Sequence, residues 1–165
     1  MKEDKSSEAT SGDPDFDLWG LLFQTRDVIY AARGEELRPY GITAMDSAVL
    51  FFIDFLGEKA TPAEISRWLF RKHHTITGQL SRMEKKGLVT LTKGIIGKNI
   101  ITICLTDKGR EALRHSSDRQ SHHRIFSSLN SDERKQLFST LMKLRKAAID
   151  VLGIEDIHIR PTPPL

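Results

Sequence analysis

Eight basic side chains, Arg67, Arg71, Lys72, Arg82, Lys85, Lys86, Lys93 and Lys98, fall in one 32-residue stretch whose single acid is Glu84. A net charge of +7 in that length is the electrostatic footprint of a surface that binds a polyanion, nucleic acid above all. A solvated basic face is the plainer alternative. The rest of the chain masks the cluster. Residues 1–17 carry −4 and residues 153–165 carry −1, so the formal net charge of +3 over 165 residues conceals +8 in residues 18–152.

Other chemistry finds less support. An enzyme needs a nucleophile–base pair or clustered carboxylates, and the sequence offers neither. Of the six histidines, His73-His74 and His122-His123 are adjacent pairs that point to different sides of a helix. His115 and His122 share a face, but no H-E-x-x-H or Cys/His spacing accompanies them. Structural or exposed histidines are therefore expected, with no metal and no cofactor. Gly94-Ile95-Ile96-Gly97 has the spacing of an RNA-binding KH loop but lies between strands, not helices. Gly97-Lys98 lacks the rest of a phosphate loop, because Thr92 and Asn99 stand where Gly and Ser or Thr are needed. The single cysteine, Cys104, excludes an intrachain disulfide and an all-cysteine zinc site. Beside Ile103 and Leu105 it is expected to be a small packing residue rather than a redox switch.

The elements around the basic stretch are legible from periodicity. Residues 1–15 are polar and acidic and are expected to be a disordered tail. From Phe16, Trp19, Leu22, Phe23, Ile29 and Tyr30 recur at helical spacing, and Leu18, Val28 and Ala32 add a second apolar side. A helix apolar on two sides is buried on two sides, and in so short a chain one of them suits a second copy. Thr43 and Asp46 predict a capped helix carrying Met45, Val49, Phe52, Ile53 and Leu56. Thr61-Pro62-Ala63-Glu64 starts another. A helix from His73 to Lys86 has Ile76, Leu80 and Met83 on its inner stripe and a small, polar and basic outer face. Period-two patterns at Val89–Thr92 and Ile101–Leu105 predict a hairpin. A long polar helix then runs from Thr106 to Ser128. Asn130 or Ser131 caps a last helix with Leu137, Leu141, Leu144, Ala148 and Val151 on one stripe, suited to a helix pair or a dimer seam. The tail 153–165, with Pro161, Pro163 and Pro164, is expected to be extended. The fold class is mainly α with a small β-hairpin: a winged helix-turn-helix plus a helical dimerisation region. The longest apolar stretch, Ala48 to Leu56, is cut by Asp54, so no membrane partner is expected. A soluble cytoplasmic protein is the expectation.

This order resembles the MarR/SlyA family of bacterial winged-helix transcription regulators. The resemblance rests on Thr61-Pro62-Ala63-Glu64-Ile65, on Leu80-Ser81-Arg82-Met83-Glu84-Lys85-Lys86-Gly87-Leu88-Val89, and on Leu105-Thr106-Asp107-Lys108-Gly109. It covers residues 16–152. It implies a DNA-binding lobe at about 41–106 and dimerisation helices at about 16–38 and 107–152. It further implies a homodimer, acting as a repressor on a pseudo-palindromic double-stranded DNA site and released by a small, often aromatic or phenolic, effector. The other readings are a protein-interaction module or a metal- or thiol-responsive regulator.

Two departures from the family pattern shape the expected site. Gly78 stands mid-helix where relatives often carry arginine, and the wing has Gly97-Lys98-Asn99 in place of Asp-x-Arg. Base contact is then expected from His74, Thr75, Thr77, Gln79 and Arg82, around a close backbone approach at Gly78. Ser66, Arg67, Arg71, Lys72, Lys93 and Lys98 are expected to hold phosphates. Trp19, Phe23 and Phe52 are the ligand candidates.

Overall fold

The computed structural model describes residues 11–93 and 101–155, in which the chain forms seven α-helices and one two-stranded antiparallel hairpin. Helix α1 (Pro14–Leu37) starts two residues before the expected boundary, inside the segment expected to be a disordered tail. The reason is local: the Asp13 carboxylate accepts from Asp15 N–H at 3.0 Å and Phe16 N–H at 3.2 Å, and Pro14 occupies the first turn. A 3-10 turn, Arg38–Tyr40, and the left-handed Gly41 close it.

Helix α2 (Ala44–Leu56) opens on a complete capping box. Thr43 Oγ1 accepts from Asp46 N–H at 3.0 Å, and Asp46 Oδ2 accepts from Thr43 N–H at 2.9 Å. Helix α3 (Pro62–Trp68) has only half a box: Thr61 caps Glu64 N–H, while the Glu64 carboxylate turns to Arg67. Helix α4 (His73–Lys85) ends on left-handed Gly87. Strands β1 (Val89–Lys93) and β2 (Ile101–Leu105) pair with Val89 opposite Leu105 and Lys93 opposite Ile101. The residues between them, including Lys98 and the Gly97-Lys98-Asn99 departure, lie outside the described residues, as do residues 1–10 and 156–165.

The expected helix from Thr106 to Ser128 is two helices, α5 (Asp107–Ser117) and α6 (Gln120–Phe126). Arg119 between them has φ 48°, a left-handed conformation that ends the hydrogen-bond ladder. No side chain of its own turn caps α6. Instead Glu36 of α1 accepts from Gln120 N–H at 2.9 Å, from Ser121 N–H at 3.1 Å and from Ser121 Oγ. A carboxylate borrowed from another helix leaves no signal in the local sequence. Helix α7 (Ser131–Leu152) starts at an Asn130–Glu133 capping box and ends at Gly153.

The core is built by α2 to α5 and the hairpin. Val49, Leu50, Ile65, Ile76, Leu80, Met83, Leu88 and Ile103 are fully buried in it. Two of the three sequence motifs quoted above turn out to form one joint. Thr106 Oγ1 donates to Gly87 O at 2.6 Å and accepts from Gly109 N–H at 3.0 Å, Thr106 N–H donates to Leu88 O at 3.1 Å, and Lys108 Nζ donates to Lys86 O at 2.8 Å. Gly109 packs so closely that a Cβ there would stand 2.0 Å from Leu88 O. Cys104 corrects its expectation: it is exposed, because the strand's inner positions belong to Ile103 and Leu105.

Candidate DNA interface and ligand cavity

A turn of four residues joins α3 to α4. Phe70 adopts φ 49° in it, and its ring lies 5.4 Å beneath the Arg145 guanidinium of α7. The turn sets α4 across α3 with its inner stripe, Ile76, Leu80 and Met83, fully buried. His74, Thr75 and Arg82 therefore lie on the outer surface, with Thr77 and Gly78 half-buried beside them. Arg71 and Lys72 are exposed at the entry to α4.

Three expected contact residues are engaged inside the protein. Gln79 is buried, with its amide between Asp46 and Arg82, so it is not presented to a groove as an adenine reader would be. Ser66 is buried, and its hydroxyl donates to Pro62 O one turn back. Arg67 is exposed but held by two carboxylates, Glu64 at 3.0 Å and Glu155 at 2.8 Å. The hydrogen bond to Glu64 and its charge raise the Arg67 pKa further. Lys93 is the last residue of β1, opposite Ile101. Gly78 is not forced by packing. A Cβ built there meets only Arg82 Nη1 at 3.8 Å, ordinary contact.

A cavity of about 510 Å³ opens among α1, α2, α5 and the start of α6. Its walls mix Ile29, Ala44, Ala48, Phe51, Phe52 and Leu113 with Arg26, Tyr30, Arg33, Arg119 and His122. Phe52 lies where expected. Trp19 and Phe23 do not: along exposed α1, Trp19 stacks on Phe23 at a ring separation of 5.8 Å and packs tilted against Phe16 at 5.6 Å. The charged residues and His122 leave no signal in the sequence because they come from two distant segments, α1 and residues 119–122, and only the fold brings them together.

Arg33 organises that wall. Its guanidinium is 2.8 Å from Glu36 Oε2, 3.4 Å from Ser47 Oγ, and donates to Ser116 O. Burial pushes the Glu36 carboxyl up, but hydrogen bonds from Ser121 Oγ, Arg33 and Ser121 N–H outweigh it and lower the pKa to about 2. Burial, then the Arg33 charge, pushes His122 below its usual value. His115 is elsewhere engaged, stacked on Tyr40 at 4.3 Å. Among the described residues no group of three or more His, Cys, Asp or Glu could hold a metal, and no single helix is long and apolar enough to cross a membrane.

Residues 40–94 match the sequence model of the MarR family. A search of curated proteins gave no match. Among solved structures, the organohalide-sensing transcriptional regulator RdhR with bound 2,4-dichlorophenol is 22% identical, with a TM-score of 0.85 over 99% of this chain and 100% of that one. A mutant MarR from E. coli complexed with operator DNA is 24% identical, with a TM-score of 0.72 over 78% of this chain and 93% of that one. MepR of S. aureus in complex with DNA is 18% identical, with a TM-score of 0.72 over 82% and 99%. The chain thus has the winged helix-turn-helix fold of these regulators, and its residues 40–94 match the sequence model of the MarR family.

Proposed function

We propose that the chain is a homodimeric repressor that binds a pseudo-palindromic site in double-stranded DNA and leaves it when a small aromatic effector enters the cavity. The observation that carries this reading is the outer face of α4: a buried apolar stripe holds it rigid while His74, Thr75 and Arg82 stay exposed, flanked by Arg71 and Lys72. Exposed cationic and polar side chains on a helix of this kind suit the major groove.

Dimer formation is supported by apolar surface that one copy leaves uncovered. Phe16, Leu18, Trp19, Leu21, Phe23 and Val28 are exposed on α1, as are Leu137, Phe138, Leu141 and Leu144 on α7. Contiguous apolar patches of this kind mark interaction sites. The effector reading is supported by the cavity, whose volume suits a single-ring aromatic molecule. Its arginines favour an acidic one, such as a phenolate or a carboxylate. The bound 2,4-dichlorophenol of RdhR fits the same chemistry.

Selection of bound DNA from a random pool tests the reading. Two half-sites about 10–10.5 bp apart are expected, with release when 2,4-dichlorophenol or an aromatic acid is titrated in. Failure to bind any DNA in a salt-dependent manner overturns it.

A further inference from the structure

Two neighbours on α4, the glycine at position 78 and the buried glutamine at 79, have a common geometry. Asp46 is fully buried at the start of α2, with both carboxylate oxygens occupied. Oδ2 accepts from Thr43 N–H and from Lys86 Nζ at 2.8 Å, and Oδ1 accepts from Gln79 Nε2. The other end of the Gln79 amide, Oε1, accepts from Arg82 Nη2 at 2.6 Å. The orientation of the amide is forced. A carboxylate only accepts and a guanidinium only donates, so the NH₂ must face Asp46 and the carbonyl must face Arg82. Arg82 Nη1 meanwhile lies 3.8 Å from the place a Cβ at Gly78 would take. The guanidinium is thus folded back along the exposed face of the helix, over the one residue that has no side chain to obstruct it.

We infer that Gln79 is a positioning residue: seated on buried Asp46, it fixes the Arg82 guanidinium over Gly78, and Arg82 held there selects one guanine in the bound DNA. Gln79 takes one of five guanidinium N–H donors, and no other protein partner of Arg82 is found among the described residues. Two parallel donors remain for guanine O6 and N7, the pairing that arginine geometry suits. A long arginine free in solvent must lose its rotamer freedom on binding, whereas one already held by a buried amide loses less. Gly78 is the second half of the device. A long side chain there would compete for the surface the guanidinium covers.

This inference rests on the DNA-binding reading above, and the test separates the two. The full-length chain is assayed against the DNA it selects from a random pool and against that DNA with each base pair substituted in turn. Gln79→Met removes both amide hydrogen bonds at nearly constant volume. It is expected to lose about ten- to a hundredfold discrimination at one G·C pair, the pair also lost in Arg82→Ala, with an unchanged dependence of affinity on salt. Combining the two substitutions adds no further loss at that pair. Gly78→Gln leaves Asp46 and Gln79 in place but fills the ground under the guanidinium, and it is expected to relax the same pair, whereas Gly78→Ala keeps it. Thermal unfolding of each variant shows which are folded, and Gly78→Gln carries the test if Gln79→Met is not. A chain that selects a site whose discrimination survives Gly78→Gln, or falls equally at every pair, overturns the inference alone. A chain that binds no DNA overturns the DNA-binding reading and this inference with it.

Discussion

In α4, Ile76, Leu80 and Met83 are buried to within 1% of their surface. In α7, Leu137, Leu141 and Leu144, at similar spacing on their own helix, each leave about two-fifths exposed. The lobe of α2 to α5 and the hairpin closes its core with only Leu37 from the end of α1, and its helices are tied end to end by caps and by the Gly87–Thr106 joint. The outer helices do not. Helix α1 buries only Arg33 and Leu37, and α7 only Ile149. Exposed apolar surface of that extent carries a hydrophobic cost that a partner surface removes. The difference separates a part that closes its own core from a part that leaves its apolar surface open in a single copy.

The largest expected effect tests the self-sufficient half. Leu80→Ala is expected to cost about 2–5 kcal/mol of stability, at every protein concentration. Leu141→Ala on α7 should instead shift the monomer–dimer balance, seen by sedimentation, and move unfolding only as far as dilution does. Equal, concentration-independent losses from both would erase the contrast. Gly109→Ala comes next, at about 3 kcal/mol in chemical denaturation, because its Cβ would meet the Leu88 carbonyl rather than a movable side chain.

The latch between the outer helices gives a pH signature. The Glu36 carboxyl is lowered to about 2 in the folded chain from its ordinary 4.5. Its contribution is therefore fully present above about pH 4.5 and is lost as pH falls toward 2. The loss is on the order of 2–3 kcal/mol, and Glu36→Gln should remove that part of the acid dependence. A variant with an unchanged acid profile would show that the α1–α6 latch contributes nothing. On the DNA face, Arg71→Ala and Lys72→Ala should weaken binding to all sequences alike and lower the salt slope by about one unit each. Arg67→Ala should change it less, since Glu64 and Glu155 already neutralise that side chain. The smallest effect is a gain: Gly78→Ala is expected to stabilise α4 by about 1 kcal/mol, having room for its methyl group.

Helix starts were legible because caps are local. Thr43 with Asp46, Thr61 with Pro62, and Asn130 with Glu133 each satisfy free N–H groups within four residues, and such spacing is visible in one dimension. Asp13 also lay in plain view, but the polar composition around it outweighed it. The buried stripe of α4 and the alternation of both strands were fixed by period alone. So were the two apolar sides of α1, although periodicity did not tell that both would stay open in a single copy.

The sequence by itself thus determined the order of the elements, the inner face of each and the basic stretch on the helix-turn-helix. Only the tertiary structure decided what the polar side chains do. It buried Gln79 on Asp46, 33 residues away, and turned an expected base reader into a support for Arg82. It brought Glu36 to the start of α6 across 84 residues and split one expected helix into two. It gathered Arg26, Arg33, Arg119 and His122 around a cavity while leaving Trp19 and Phe23 outside it. The physical reason is range. Apolar burial follows a period that neighbours in sequence share, whereas a buried polar group must find one partner of the right kind, and that partner can come from anywhere in the chain.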